Sequence, residues 1–445
     1  MKKIFTALCF LIITALLNAS PVDLRTAKNV AQNFWTANGG QSNVEWVNLT
    51  PQTQFTEFYI LSNANGKGFI IVAGDNCVIP ILGYSLSNEF DVKMPAHINS
   101  YLNNMEQEIA FYKENNTPST EELDNLWHSL RNGSYAPMST TAVSPLLTTT
   151  WDQSPYYNDL CPVSGNEKTV TGCVATATAQ IMKFWNWPTR GTGSHSYVDD
   201  EFGYLSANFG NTTYQWSLMP NALNWNSSAA QVNAVATLMY HVGVAVEMDY
   251  GISDDGGSAA YSHDFGYSDL PCPRYALTSY FNYKNTIQSV YKENVSDAQW
   301  VSTMKSELNA GRPMLHSGSD DGSGHAFVCD GYDNNNLFHI NWGWGGYCDG
   351  FYAANDLSPH AGGTGGNATY TFNQNRGIVI GIEPDNFLHA NINNLYYPQE
   401  GGQQTFTVTF NNKNHYYSNH NNHNNYSNYS NYSNHNCHNN HCTHK

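Results

Sequence analysis

Cys173, His325 and Asn341 are residue types that together could do chemistry: a nucleophile, a base and an amide to orient the base. Cys173 opens the run Cys173-Val174-Ala175-Thr176-Ala177-Thr178-Ala179-Gln180-Ile181-Met182-Lys183, preceded by Thr171-Gly172. This reads as a tight turn leading into an amphipathic helix, with Val174, Ala177, Ile181 and Phe184 at roughly helical spacing and Pro188 as the stop. A thiol in the first turn of a helix meets free backbone N–H groups and the positive end of the helix dipole, which favours thiolate. Gly324-His325-Ala326-Phe327-Val328 puts a histidine at a strand start, and Asn341-Trp342-Gly343-Trp344-Gly345-Gly346 follows the next strand. If those strands pair as a hairpin through Tyr332–Asn336, His325 and Asn341 come near one sheet edge. A thiol, an imidazole and an amide in that order suit nucleophilic acyl chemistry. The chemistry would be thiolate attack on an acyl carbon, with His325 as ion-pair partner and later proton donor to the leaving amine. Asn341 would bond the far ring nitrogen. The Cys173 N–H, with a side-chain amide such as Gln153 in Trp151-Asp152-Gln153, would hold the oxyanion. Taken singly, each residue has an ordinary role: a small buried cysteine, a structural histidine, a turn asparagine, core tryptophans. Their combination and order carry the reading.

The elements that must position this set are a helical half and a β half. Ala229–Gly243 and Ala298–Ala310 have helical spacing, the second stopped by Gly311-Arg312-Pro313. Short apolar runs then follow at 313–316, 326–330, 337–341 and 350–353, separated by Asp/Asn/Gly turns. A helical half carrying the thiol, followed by antiparallel strands, is an α+β arrangement. Upstream, 22–38 reads as a helix, 58–62 and 69–73 as a hairpin, 79–84 as a strand and 95–113 as a helix. Residues 114–141 are polar and read as a linker, with Arg131-Asn132-Gly133-Ser134 an exposed nick site.

The chain has 445 residues and a formal net charge of −17, with no basic stripe, which argues against a nucleic-acid surface. Lys2, Lys3, the apolar run Ile4–Leu17 and Asn18-Ala19-Ser20 read as a secretory signal peptide, too short for a membrane span. The expectation is a secreted, extracellular or cell-surface protein. Nine thinly spread cysteines form no CxxC pair or regular framework, and bridges among Cys161, Cys272, Cys329 and Cys348 stay open. Residues 403–410 alternate at period two, as in the opening of a β module. Residues 413–445 are almost wholly Asn, His, Tyr and Ser, a composition expected to be disordered. No metal site or cofactor is assigned.

The blocks 171–182, 324–328 and 341–346 resemble the signature blocks of the streptopain family of secreted bacterial cysteine proteases. The resemblance runs from about Ser144 to Pro384 and includes Met248-Asp249-Tyr250-Gly251 and Val379-Ile380-Gly381-Ile382. Gly68-Phe69-Ile70-Ile71-Val72-Ala73-Gly74-Asp75 is similar to part of that family's inhibitory propeptide. The resemblance implies a papain-like fold, Cys173 as nucleophile and His325 as general base. It implies that Asn341 and Trp342 orient and shield the histidine, that Gln153 is the oxyanion residue, and that Ser258 and Gly324 contact substrate. It also implies a preference for a hydrophobic residue two positions before the cut.

The resulting expectation is a zymogen: signal peptide 1–20, inhibitory propeptide and linker 21–140, catalytic domain 141–384, start of an accessory β module 385–412, and a low-complexity tail 413–445. It would hydrolyse protein or peptide substrates, with its own propeptide as intramolecular inhibitor and self-cleavage within 131–145. Two other classes are compatible with the residues: acyl transfer or deamidation by the same Cys–His–Asn set, and a non-catalytic surface-binding protein.

Overall fold

The computed structural model describes residues 20–94, 96–137, 142–253, 256–319, 324–353, 376–385, 407–409 and 441–443. They fall into two units, one ending at Ile382 and the other beginning at Glu383. In chain order the first unit comprises α1 (Leu24–Ala37), β1 (Trp46–Asn48), β2 (Phe58–Asn63), β3 (Phe69–Ala73), β4 (Ile81–Ser85), α2 (Ala96–Glu114) and α3 (Glu121–Asn132). It continues with β5 (Val163–Ser164), β6 (Glu167–Lys168), α4 (Cys173–Trp185), β7 (His195–Asp199), β8 (Gly203–Ala207), α5 (Ala229–Ala245) and α6 (Pro273–Ser279). It closes with β9 (Gln288–Tyr291), α7 (Asp297–Asn309), β10 (Met314–Ser319), β11 (Gly324–Tyr332), β12 (Leu337–Asn341), β13 (Gly350–Ala353) and β14 (Gly377–Ile380).

Ten of these strands make one sheet in the order β1-β2-β3-β4-β13-β12-β11-β10-β14-β9. The N-terminal hairpin and the β half, read from sequence as separate modules, are therefore neighbours in a single sheet. The join is β4 against β13, antiparallel, with Tyr84 opposite Phe351 and Gly83 opposite Tyr352. Gly83 is required there, because a Cβ would stand 2.6 Å from the Tyr352 ring and 3.0 Å from the Phe351 carbonyl oxygen. One apolar core runs beneath the join and includes Phe34, Phe69, Tyr84, Trp127, Phe327, Trp342 and Tyr352.

Two local expectations are corrected. The polar stretch 114–141 contains a helix, α3, rather than only a linker. Thr120 caps it by accepting from Leu123 N, acidic residues fill its first turn, and Gly133 ends it in the left-handed region. Its apolar residues Leu123, Trp127 and Leu130 share one buried face, so the polar remainder masked the pattern. The second correction concerns α4, which is buried on nearly every side from Val174 to Met182, because it lies between β11 and α5. It is a central helix, not an amphipathic surface one.

The six described cysteines, Cys77, Cys161, Cys173, Cys272, Cys329 and Cys348, are free thiols, so no bridge links the four candidates. Among the described residues no helix is long and apolar enough to cross a membrane. In the second unit β15 (Thr407–Thr409) pairs antiparallel with β16 (His441–Thr443). The latter three residues form a strand where disorder was expected. The rest of the low-complexity tail and the expected signal peptide up to Ala19 lie outside the described residues.

Candidate active site

Gly172 precedes α4 with φ 82° and ψ 144°, a conformation that favours glycine. A Cβ there would meet Met248 Sδ at 2.6 Å and Ser258 Cβ at 3.3 Å. The turn delivers Cys173 to the first position of the helix, where its Sγ accepts from Ala326 N at 3.4 Å. The N–H groups of Cys173 and Val174 also favour the thiolate, but burial is the larger effect and pushes the thiol pKa up. The helix start alone suggested the opposite sign.

His325 is buried, with Nε2 3.2 Å from the Trp342 carbonyl oxygen. A carbonyl can only accept, so Nε2 carries the hydrogen and Nδ1 is the basic nitrogen of the neutral ring. Burial pulls the imidazole pKa down to about 3. Thiol and imidazole are therefore both neutral as the chain is folded here.

Asn341 does not make the expected bond to the ring. Its Oδ1 accepts from Gln180 Nε2 at 2.9 Å and Gly343 N at 3.0 Å. Its Nδ2 donates to the Thr149 carbonyl at 2.8 Å and Gln180 Oε1 at 3.3 Å. The Trp342 carbonyl occupies the position expected of the asparagine amide. The Trp342 indole turns into the core, donating to the Cys348 carbonyl at 3.1 Å and packing on Phe327 with ring centres 4.8 Å apart. Tyr101 of α2 packs on the same indole at 5.2 Å and donates to the Ala353 carbonyl at 2.6 Å.

Gln153 lies beside the start of α4, its carbonyl accepting from Thr171 N at 3.2 Å. Asp152, whose pKa burial raises to about 6, accepts from Gln153 N at 2.7 Å. The Ser258 hydroxyl is occupied, donating to the Val170 carbonyl at 2.6 Å and accepting from Gly251 N at 3.0 Å. Its side chain thus braces the approach to Cys173, which leaves backbone groups for any substrate contact. Gly324 is exposed at the start of β11, opposite Ser319.

A thiol at a helix start beside a carbonyl-anchored histidine, on a sheet-and-helix frame, is an acyl-transfer arrangement. Residues 151–352 match the Peptidase C10 family, and residues 19–109 match the Spi protease inhibitor family. Streptopain of Streptococcus pyogenes is 34% identical over 358 residues, covering 76% of this chain and 83% of its own length. The chain belongs to the peptidase C10 family. The thiol protease/hemagglutinin PrtT of Porphyromonas gingivalis is 32% identical over 405 residues, which is 86% of this chain but only 44% of that protein. The solved fragment of prointerpain A from Prevotella intermedia is 33% identical, with a TM-score of 0.62 over 76% of this chain and 98% of its own. This C10 peptidase is accordingly a cysteine-type endopeptidase with a papain-like α+β fold, made as a zymogen with an inhibitor segment ahead of the peptidase.

Sequence reasoning missed three contributors in this C10 peptidase. The Trp342 carbonyl is a backbone group and carries no sequence signal. Thr149 and Gln180 are neighbours of Asn341 only in space. Gln180 did leave a trace: with Cys173 and Thr176 it falls three and four residues apart along one helix face.

Proposed function

We infer that Cys173 is the nucleophile of a secreted peptidase and His325 its general base, acting on protein and peptide substrates. The observation that carries this is the His325 Nε2–Trp342 carbonyl contact, which leaves Nδ1 as the basic nitrogen while the next residue's N–H bonds Cys173 Sγ. His325 Nδ1 takes the Sγ proton, and the thiolate attacks the scissile carbonyl carbon. The oxyanion forms against the Cys173 N–H and the Gln153 side-chain amide. Collapse breaks the C–N bond, and the leaving amine takes the proton from His325. Water, deprotonated by the same ring, then cleaves the thioester and releases a carboxylic acid. No step calls on a metal or cofactor. Ser258 and Gly324 meet the substrate through their backbone groups.

The segment 21–140 is the intramolecular inhibitor, and the contact of Tyr101 with Trp342 supports this by tying α2 to the strand end that holds His325. Maturation cuts lie within 131–145. Within that range Arg131 and Asn132 end α3, and Val143 pairs with Tyr332.

The test is a time course of the 21–384 chain and its Cys173→Ala counterpart with casein in reducing buffer. The expected result is self-trimming near 131–145 and casein loss in the parent chain only. Both chains staying intact with casein uncut, even after limited proteolysis removes the N-terminal segment, would refute it. Amine-stimulated turnover without new peptide ends would instead indicate transfer chemistry.

A further inference from the structure

We propose that Gln180 is a positioning residue that sets the His325 imidazole and the Gln153 loop together, from one side chain on α4. This rests on the Cys173–His325 reading above. Gln180 is fully buried, two helical turns beyond Cys173. Its Oε1 accepts from Thr149 Oγ1 at 2.8 Å, Trp151 N at 3.2 Å and Asn341 Nδ2 at 3.3 Å. Its Nε2 donates to Asn341 Oδ1 at 2.9 Å. Every contact leads to an element that carries part of the reaction.

Toward the base, the path runs through one peptide group. Asn341 Oδ1 accepts from Gly343 N, and the Trp342 carbonyl bonds His325 Nε2. That N–H and that carbonyl belong to the same planar Trp342–Gly343 peptide, so holding one end fixes the direction of the other. The N–H bond also polarises the carbonyl and strengthens its hold on the ring. Gly343 adopts φ 70°, and a Cβ there would stand 3.1 Å from Thr176 Cγ2, so the turn is seated directly on α4. Toward the oxyanion side, the Trp151 N bond pins the chain two residues before Gln153. The amide at 180 thus does for the histidine, through a neighbour, what a direct asparagine bond would do.

The network needs a side chain that donates and accepts at once, and this gives a signature that packing alone would not. In Gln180→Glu the shape is kept. A protonated carboxyl still donates to Asn341 Oδ1 and accepts from Trp151 N. An ionised one only accepts, and faces Asn341 Oδ1 with no hydrogen between them. Flipping the Asn341 amide would only turn its oxygen onto the Thr149 carbonyl.

The experiment compares pH profiles of kcat and KM for processed parent and Gln180→Glu enzymes on a peptide substrate, with melting temperatures recorded across the same pH range. Burial should raise the introduced carboxyl to about 6–8. The expected result is near-parent kcat on the acid side and a fall of about tenfold or more as pH rises through that range, with KM little changed. Gln180→Met, which keeps the length but neither polar function, should be low at every pH. If Gln180→Glu does not accumulate folded, Thr149→Val removes a single bond to Gln180 and should lower kcat by about threefold. A Gln180→Glu enzyme with the parent profile, a Gln180→Met enzyme that loses melting temperature but keeps kcat, or a Thr149→Val enzyme with unchanged kcat would overturn the proposal. Activity surviving in Cys173→Ala would instead sink the nucleophile reading, and is read from that protein alone.

Discussion

Burial sets the protonation of Cys173 and His325 in opposite directions, raising the thiol and lowering the imidazole to about 3. Since only the thiolate reacts with haloacetamides, Cys173 in the intact chain should alkylate slowly at neutral pH and faster as pH climbs. Removing the N-terminal segment should admit water, relax both shifts and accelerate labelling by about tenfold or more. Mass spectrometry of intact and trimmed species in one iodoacetamide time course checks this, and equally fast labelling of both at pH 7 would contradict it. At this scale the sequence was informative about identity and silent about partners. Cys173 and His325 announce themselves through flanking glycines, whereas the acceptor for His325 is a main-chain oxygen, and Asn341 acts one peptide away from where its residue type pointed.

Among the elements, the turn into α4 is the most tightly specified. Gly172→Ala would force a side chain into a glycine-only backbone region and against Met248 Sδ, 2.6 Å from the new Cβ. The expected cost is about 1–3 kcal/mol of stability, with a loss of kcat from a displaced Cys173. Denaturant unfolding alongside turnover would measure both, and an unchanged pair would show that the turn relaxes freely. The helices α1, α4, α5 and α7 and the strands β10 to β13 were legible because their periodicity is undisturbed by function. The helix α3 was missed because only Leu123, Trp127 and Leu130 declare its face among polar neighbours. The all-round burial of α4 was missed because small residues such as Ala175, Thr178 and Ala179 read as surface when the neighbouring helix is unseen.

For the molecule as a whole, buried neutral histidines outnumber buried protonated carboxyls among the described residues, and this fixes the sign of its acid response. Burial lowers His241 and His263 to about 4, His325 to about 3, and His316 well below the ordinary histidine value. Below the ordinary histidine value the unfolded chain binds protons that the folded chain refuses, so stability drains as pH falls from about 6.5 toward 4. Asp349, raised to about 7, Asp152, raised to about 6, and Asp333, also raised by burial, pull the other way, three carboxyls against four histidines. The melting temperature of the Cys173→Ala chain should therefore drop across that interval, and a flat or rising curve would contradict the balance. The union of the N-terminal and catalytic segments was not legible in sequence, because strand runs do not reveal which edges meet. That union rests on β4 lying against β13 at two residue pairs. Excision of the leading segment would strip β13 of this neighbour and leave its N–H and C=O groups bare. Maturation would then unmask an adhesive seam, which the freed segment, another copy or an extended chain in solution would compete to zip closed.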